Sequence, residues 1–595
     1  MQKYTIHQYP VSYILNSVQS NEIAIPEMQR PFVWDSIKVR DLMDSLYQGF
    51  PVGYIIAWKN PNVRLKDGTL SSGKKILIDG QQRVTALTAG ILGEKVLNRD
   101  YKEIRIVIAF NPVTQEFKTA TPATEKDPHW INDISSIMKS ETVAVRIVDR
   151  YMEKNPECEK YLIADNIEKL LRMKERQLGF IELAEDLDIE VVTEIFVRIN
   201  SKGVVLSQTD FAMSKIASSG EYGSILRKCI DYFCHTAIEP EFYKKISEVD
   251  THFIKSEFFQ KISWLKDYNE DLYDPDYSDV LRVAFTKEFE RGKISDLVNL
   301  LSGRNFETRT FEEQIATDSF EKLKRGVLGF INETNFKRFV MIVKSTGIIS
   351  SSLINSKSSL NFAYIVYLKL KEQSYNDPEI EKYTKRWLLM SVLTGRYSAS
   401  AESRYDEDIK QISKNGIENY LGQIEEIELS QAFWDIGLPK ELNKSMVSNP
   451  YLNVFFASQI RSNDLGFLST DITVRDLIMQ RGDIHHIFPK DYLKKAGKGK
   501  SEYNQIANFV WTQSEINIRV ANKSPNEYMK SIIEDIDNGK SKLVGIQTMQ
   551  QLQDNFAQSC IPMEMVDMKV EDYERFLELR RKLMAKKIEG YYKSL

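Results

Sequence analysis

The sequence is poor in the residues that build disulfide-linked and zinc-stabilised proteins. Only four cysteines, Cys158, Cys229, Cys234 and Cys560, occur among 595 residues, and no two of them form a Cys-x-x-Cys pair. This scarcity argues against a disulfide framework and against a structural zinc site. Cys229, Cys234 and the neighbouring His235 are one possible set of metal ligands, but the pattern favours buried positions on a helix.

Long apolar runs and a strong net charge are also missing. No segment approaches the ~20 uninterrupted apolar residues of a membrane span, and the first residues lack the apolar core of a signal peptide. We therefore expect a cytoplasmic protein with no membrane partner. The net charge of −4 excludes a protein that coats nucleic acid with its whole surface, so any such contact must come from local patches.

The pattern of apolar residues divides the chain into three parts. Residues 1–215 have mixed α/β character, and residues 216–450 have helical spacing with few strand signals. Candidate chemical motifs occur in residues 1–215 and in residues 451–595 but not in the helical region between them. A charged amphipathic helix is predicted over residues 571–587. A solvated helix face is favoured over contact with DNA for its basic residues, which are Arg580, Arg581, Lys582, Lys586 and Lys587. The length and composition are those of a globular protein with several domains.

Local signals within the first part predict a few elements in detail. Residues 76–78 form a short β run that ends at Asp79-Gly80, and a helix is predicted from Gln81 to about Leu92. Residues 104–110 alternate as a strand, turn at Asn111-Pro112, and return as a hairpin over residues 116–120.

Two of the six histidines are adjacent, at His485-His486, in a short apolar stretch that ends at Pro489. Downstream, Asn508 opens a strand-like segment, and Asn517 follows nine residues later on a segment that Thr512 or Ser514 is expected to cap as a helix. Cleavage of a phosphodiester needs a base for water, a cation at the leaving oxygen and groups that hold both. A histidine on one strand and a carboxamide on the following helix suit that task.

These residues resemble the HNH branch of the ββα-metal nucleases, in which the base histidine stands three residues before a proline. The resemblance implies that His486 is the general base and that Asn508 orients the catalytic loop. It also implies that His485 and Asn517 are metal ligands.

The resemblance has one departure and one flanking feature. A histidine stands at position 485 where an aspartate is more familiar, which leaves open whether Mg²⁺ or Mn²⁺ is used. Asp483 is a weaker candidate for the missing carboxylate. Lys490 and Lys494 belong to a basic loop beside the site, which either binds DNA phosphates or is an ordinary solvated loop.

Three N-terminal segments combine arginine, glutamine and glycine: residues 25–35, residues 79–83 and residues 196–210. Asp79-Gly80 stands at a strand-to-helix junction, where backbone N–H groups and the helix dipole favour anions. Side-chain donors are added by Gln81, Gln82 and Arg83, and by Arg30 and Arg198 if the fold brings the segments together. The alternative is a capped helix with polar surface residues.

Together, the three segments resemble the DUF262 domain, which is related to the ParB/sulfiredoxin fold, over residues from about 10 to 215. The resemblance implies a nucleotide-phosphate site at Gly80-Gln-Gln-Arg83 and links the domain to binding and hydrolysis of an NTP (GTP, UTP, ATP or CTP). Residues from about 455 to 540 resemble DUF1524, the HNH partner domain of the same proteins. Gln29 and Trp34 are candidates for a DNA-recognition pocket. For Trp34, packing in the core is the favoured alternative.

The sequence therefore predicts a multidomain α+β protein. A ParB/sulfiredoxin-like α/β domain is expected at 1–215, a helical region at 216–450 and a ββα-metal HNH nuclease domain at 451–595. The combination resembles GmrSD-like type IV restriction and antiphage endonucleases. It implies an NTP-regulated, metal-dependent enzyme that cuts modified or phosphorothioate-marked double-stranded DNA, with a homo-oligomer left open. The alternatives are a nucleotide-binding regulatory or DNA-binding protein with a degenerate HNH domain, and an enzyme acting on RNA.

Overall fold

A computed structural model describes residues 3–20, 22–24, 34–59, 75–97, 103–139, 144–184, 187, 195, 208–218, 220–308, 310, 312–354, 356–445, 449–480, 482, 484–539 and 544–595. These residues form two compact units, 1–227 and 228–595. The chain is mostly helical, and its larger sheet lies in the first unit, as the predicted α/β character of this part requires. Within the ranges given, no helix is long and apolar enough to cross a bilayer.

The first unit contains a five-stranded mixed sheet in the order β1-β9-β3-β4-β2. Strand β9 pairs antiparallel with β1 and parallel with β3, while β4 pairs antiparallel with β3 and parallel with β2. Two smaller antiparallel pairs, β5-β6 and β7-β8, accompany the sheet. The strands are β1 (Tyr4–Pro10), β2 (Ile23–Ala24), β3 (Tyr54–Lys59), β4 (Lys75–Asp79), β5 (Val96–Leu97), β6 (Glu103–Ile104), β7 (Ile108–Asn111), β8 (Glu116–Thr119) and β9 (Gln177–Leu183).

Side-chain alternation along β3 gives the sheet two apolar faces. Ile55 and Ala57 pack in the main core with the helices, whereas Ile56 and Trp58 pack on the opposite face. Trp34 is partly buried against the main core, as core packing predicts. The helices of this unit are α1 (Val11–Gln19), α2 (Ser36–Gln48), α3 (Gln81–Leu87), α4 (Pro122–Lys126), α5 (Ile134–Met138), α6 (Ala144–Lys154), α7 (Lys160–Leu171) and α8 (Gln208–Ser218).

The local predictions in this unit are largely confirmed. The predicted helix over residues 81–92 consists of α3 followed by one π-helical turn, Thr88–Leu92, and the predicted hairpin is β7-β8. The single strand predicted over residues 104–110 is wrong, because β6 ends at Ile104 and β7 begins at Ile108. The two strands belong to different pairs, since β6 pairs with β5 and β7 pairs with β8. Between them, the Arg105 guanidinium donates to the Asp133 carboxylate and the Ser135 hydroxyl at the start of α5.

In the described part of residues 216–449 every assigned element is helical, as predicted. Cys229 and Cys234 are buried on a helix, and burial raises the pKa of both thiols. The helices from residue 220 onward are α9 (Gly220–Ile238), α10 (Phe242–Val249), α11 (Glu257–Lys261), α12 (Tyr277–Phe289), α13 (Ile294–Leu301), α14 (Glu313–Ile331), α15 (Glu333–Ser345), α16 (Lys357–Glu372), α17 (Asp377–Leu393), α18 (Ala401–Asn415), α19 (Ile417–Glu428) and α20 (Leu438–Glu441).

The last part of the second unit contains a two-stranded antiparallel sheet among short helices. The strands are β10 (Ile484–His486) and β11 (Phe509–Trp511). The helices are α21 (Pro450–Arg461), α22 (Val474–Met479), α23 (Lys490–Lys495), α24 (Lys500–Tyr503), α25 (Ser514–Val520), α26 (Pro525–Asp537), α27 (Met549–Gln558) and α28 (Tyr573–Lys593).

One partly buried carboxyl in the second unit should make the stability of this unit depend on pH. Burial, together with the neighbouring Asp271 and Glu270, raises the pKa of Asp274 to about 6. A carboxyl whose pKa is higher in the folded state stabilises the fold below its unfolded pKa, and that stabilisation is lost as the pH rises through 6.

Asp274→Asn should therefore raise the free energy of unfolding by about 1–2 kcal/mol at pH 7.5, after allowance for solvent screening, and change it little at pH 4. Denaturant unfolding at the two pH values measures the difference. Asp271→Asn, at an exposed neighbouring position, removes only the repulsion between the two carboxylates, so we expect a smaller gain from it at pH 7.5. An equal gain from both variants at pH 7.5 would show that burial of Asp274 is not the cause.

Candidate active site

The adjacent histidines lie on the first strand of a small ββα unit. Strand β10 pairs antiparallel with β11, with His485 opposite Val510 and His486 opposite Phe509. Helix α25 follows β11 and contains Asn517. Gln513 occupies the N-cap position of α25, and the expected cap by Thr512 or Ser514 is wrong, because the Thr512 hydroxyl donates to the Phe467 carbonyl instead. The order strand, strand, helix agrees with the expectation for the HNH region.

Asn508 holds the chain that follows β10. Its side chain is fully buried, its Oδ1 accepts from the Phe488 N–H at 2.8 Å, and its Nδ2 donates to the carbonyls of Phe488 and Tyr503, both at 3.1 Å. The Ile487 N–H adds a bond of 2.9 Å to the Asn508 carbonyl. Because these partners all lie in the loops beside His486, Asn508 can orient the site without touching a substrate.

His486 is held in one orientation by a hydrogen bond and two aromatic contacts. Its Nε2 lies 2.9 Å from Asn504 Oδ1, and its ring packs against Phe509 and Tyr503 with centroid distances of 5.1 and 6.2 Å. Since Asn504 Oδ1 only accepts, the neutral ring places its proton on Nε2 and leaves the lone pair on Nδ1. Asn504 was missed by the sequence analysis, because a lone asparagine in a loop gives no distinctive pattern.

The surroundings of His486 favour its neutral form. Burial lowers the pKa of this imidazole, and the nearby Lys490 and His485 lower it further, while the hydrogen bond to Asn504 acts in the opposite direction. A neutral imidazole is the form that can accept a proton from water. The ring is therefore prepared to act as a base at neutral pH.

The predicted metal ligands, His485 and Asn517, lie on β10 and in the middle of α25, and both are half-buried. Successive residues of a strand alternate in direction, but His485 lies close enough to His486 for its charge to lower the pKa of that imidazole. An amide oxygen suits Mg²⁺ or Mn²⁺, whereas an imidazole nitrogen suits a transition metal better than Mg²⁺, so this pair of donors favours Mn²⁺, with water and a phosphate oxygen as further ligands. The donor types thus fit the expected ion, and both residues stay predicted ligands. Asp483 lies outside the described residues.

Two lysines lie beside the histidine. The ammonium groups of Lys490 and Lys494 each lie 5.8 Å from the centre of the Tyr503 ring, the same ring that packs on His486. Lys494 also lies 3.7 Å from the Asp491 carboxylate. In contrast, Lys498 is paired with both Glu502 and Glu574. Both lysines belong to α23, so the basic loop predicted here is wrong at these two positions. Lys490 and Lys494 contact the same ring as His486, which places them to meet a phosphate there.

The C-terminal helix α28 contributes a buried arginine that contacts the backbone next to the site. Arg580 is fully buried, and its Nη1 donates to the carbonyls of Ala507 and Phe509, both at 2.8 Å, on either side of Asn508. Its Nη2 donates to the Ser559 carbonyl at 3.1 Å, and burial lowers its pKa to about 10.

The prediction that the basic residues of this helix are solvated or contact DNA is therefore wrong for Arg580, which is buried. The signal was present in the sequence, since Arg580 shares the i, i+4 stripe of Phe576, Met584 and Ile588, all of which are buried.

The predicted phosphate loop of the first unit follows β4 directly. Gly80 has φ of +90°, and a Cβ at this position would lie 3.2 Å from the Ile55 Cα, so the turn requires glycine. Arg83 Nη1 donates to the Tyr54 carbonyl at 2.6 Å, and burial lowers the pKa of this guanidinium. Gln81 Nε2 donates to the Leu77 carbonyl at 3.3 Å.

The strand, the turn and the start of α3 are thus as predicted, with Asp79 ending the strand and Gln82 half-buried in the first turn of the helix. The side chains of Gln81 and Arg83 have partners within the protein, so an anion would have to compete for them. Gln29, Arg30 and Arg198 lie outside the described residues, and their predicted roles stay predictions.

Comparison with known proteins finds a family match in the N-terminal part of the chain. Residues 11–217 match the GmrSD restriction endonuclease N-terminal domain. The predicted DUF262-type resemblance over residues from about 10 to 215 is confirmed to this extent. The GmrSD-type match includes the Gly80–Arg83 loop and ends before the ββα unit, whose assignment to the HNH and DUF1524 families stays a prediction.

A relative resembles the chain over nearly its whole length. An uncharacterised protein of Methanocaldococcus jannaschii, MJ0686, is 22% identical over 97% of this chain and 97% of its own length. The similarity therefore extends from the GmrSD-type domain through the helical region and the ββα unit.

Proposed function

We propose that this protein is a metal-dependent DNA endonuclease of the type IV restriction kind, with its active site at His486. The observation that supports this proposal best is the setting of His486, a neutral imidazole whose Nδ1 lone pair is set by the bond to Asn504. The surrounding loop is fixed by the buried Asn508. The match of residues 11–217 to a restriction endonuclease domain makes DNA the favoured substrate.

In the proposed reaction, His486 Nδ1 removes a proton from a water molecule, and the water oxygen attacks phosphorus while the bond from phosphorus to the leaving oxygen breaks. The leaving oxygen takes up a proton from solvent and departs as a hydroxyl. His485 and Asn517 would hold a divalent ion, which would supply charge stabilisation at the phosphate. Lys490 and Lys494 neutralise neighbouring phosphates and hold the backbone against the site. Because the pKa of His486 is lowered, the protonated ring returns its proton to solvent readily.

We propose further that the GmrSD-type domain binds an NTP at the Gly80–Arg83 turn and regulates cleavage of modified DNA. The support is the positive φ of Gly80 at the start of a helix, because the first turn of a helix favours anions in general. A bound phosphate would compete with the Tyr54 carbonyl for Arg83. This competition would couple nucleotide binding to the first residue of β3. Arg83 would then have two states, one bound to the Tyr54 carbonyl and one bound to the phosphate, and a nucleotide would shift the population toward the second.

The experiment is a cleavage panel on plasmid DNA, either unmodified or carrying hydroxymethylated, glucosylated or phosphorothioate groups, with each NTP present or absent. We expect nicking of at least one modified DNA with Mn²⁺ or Mg²⁺, and complete loss of nicking when EDTA removes the ion. Nucleotide binding without cleavage of any DNA would favour the regulatory alternative, and cleavage that persists in EDTA would contradict the metal-dependent mechanism. The same assay with RNA in place of DNA tests whether the enzyme acts on RNA instead.

A further inference from the structure

A second group of potential metal ligands lies in the first unit, outside the proposed active site. His129 lies between α4 and α5, and Glu157 and Cys158 lie between α6 and α7. One ligand atom from each of the three residues lies within 4.8 Å of the others. Nε2 of His129 is 3.1 Å from Glu157 Oε1, and Cys158 Sγ is 3.8 Å from the same oxygen.

The two loops that contribute these residues are tied together by buried polar groups. Asn155 is fully buried, and its Nδ2 donates to the Pro128 carbonyl at 2.9 Å. The Tyr151 hydroxyl donates to the His129 carbonyl at 3.1 Å. These bonds fix the backbone on both sides of the group, so the three side chains approach one another without ordering a mobile loop.

His129 also has the partner that metal-binding histidines usually have. Its Nδ1 lies 3.0 Å from Asp127 Oδ1, and the same oxygen accepts from the His129 backbone N–H at 3.0 Å. A carboxylate on one ring nitrogen sets the tautomer and directs the other nitrogen toward a cation. Here the other nitrogen, Nε2, is the one that faces Glu157.

The two distances that involve Glu157 agree with a shared tetrahedral ion, and the ligand atoms of His129 and Cys158 lie within 4.8 Å of each other. Ligand bonds of about 2.0–2.3 Å at a tetrahedral zinc place two ligand atoms about 3.3–3.7 Å apart. The observed spacings of 3.1 and 3.8 Å differ from that range by no more than a few tenths of an ångström. An imidazole, a carboxylate and a thiolate together suit Zn²⁺ or Co²⁺ rather than Mg²⁺.

We propose that His129, Glu157 and Cys158 form a three-ligand site for Zn²⁺ or a similar transition metal, with Asp127 orienting the histidine. The protein supplies three ligands, and water takes the fourth position. Binding displaces the Cys158 thiol proton to solvent. This inference does not depend on the nuclease proposal, because the residues, the unit and the type of ion all differ.

Titration of the full chain with Co²⁺ tests the site. We expect a thiolate-to-cobalt charge-transfer absorption that saturates at one ion per chain, is removed by Zn²⁺, and is lost in Cys158→Ser. The three other cysteines are buried, and the proposed nuclease ligands include no thiol, so this absorption reports on Cys158. Asp127→Asn should weaken Co²⁺ binding about 10–100-fold, while Glu153→Gln, at an exposed position on α6, should leave it unchanged.

Zn²⁺ should also raise the melting temperature of the wild type but not that of Cys158→Ser. Absence of the charge-transfer absorption in the wild type would overturn the proposal, as would the same absorption in Cys158→Ser. In either case the three residues form only a hydrogen-bonded ion-pair cluster.

Discussion

Replacement of His486 by alanine should lower the rate of DNA cleavage about 10²–10⁴-fold, the usual contribution of a general base. The imidazole is half-buried and contacts Asn504, Tyr503 and Phe509, so a smaller side chain removes the base and leaves the backbone of β10 in place. Single-turnover nicking with Mn²⁺ at saturating enzyme measures the chemical step. Thermal unfolding of the same preparation shows whether the fold is retained.

Two further variants test whether the loss of cleavage comes from the base itself. Asn504→Ala keeps the base but removes the oxygen that sets its tautomer, so we expect a smaller loss, about 10–100-fold by analogy with other orienting partners. His7→Ala changes an exposed histidine of β1 and should have no effect. Equal cleavage by His486→Ala and the wild type would remove His486 from the mechanism.

The parts of this site that were predictable from the sequence are those determined by local pattern. The apolar run around His485-His486 and the segment after Asn508 both predict strands, and they pair as β10 and β11. The turn at Gly80 was predictable for the same reason, because a strand that ends in Asp-Gly before a helical pattern requires a residue that tolerates positive φ. Such signals need only a few neighbouring residues.

The parts that were missed depend on contacts between distant residues. Asn504 meets His486 across 18 positions, and Arg580 reaches Ala507 and Phe509 across 73 and 71 positions. The i, i+4 stripe of Phe576, Met584 and Ile588 predicts that Arg580 faces the core, but nothing near Arg580 in the sequence identifies the carbonyls that it meets there. The same limit applies to Arg83, whose partner, the Tyr54 carbonyl, belongs to another strand of the sheet.

Arg580→Met should destabilise the second unit by about 3–5 kcal/mol. The methionine keeps an apolar stem of similar length but leaves the carbonyls of Ala507, Phe509 and Ser559 without their donor in a buried setting. Denaturant unfolding of the full chain measures the loss. Lys582→Met, on the same helix and at an exposed ion pair with Glu578, is the control and should change stability by no more than about 0.5 kcal/mol.

The same substitution should also reach the active site, because the two carbonyls bound by Arg580 Nη1 lie on either side of Asn508. When these carbonyls lose their donor, the backbone around Asn508 becomes more mobile. The hydrogen bonds between the Asn508 amide and the Phe488 backbone are then weakened, and the loop beside His486 is less well positioned. Arg580→Lys separates charge from geometry, since an ammonium retains the positive charge but cannot bridge three carbonyls in a fixed plane. We therefore expect Arg580→Lys to recover part of the stability and little of the cleavage rate. Full recovery of both would show that a buried positive charge, and not the planar guanidinium, supports the site.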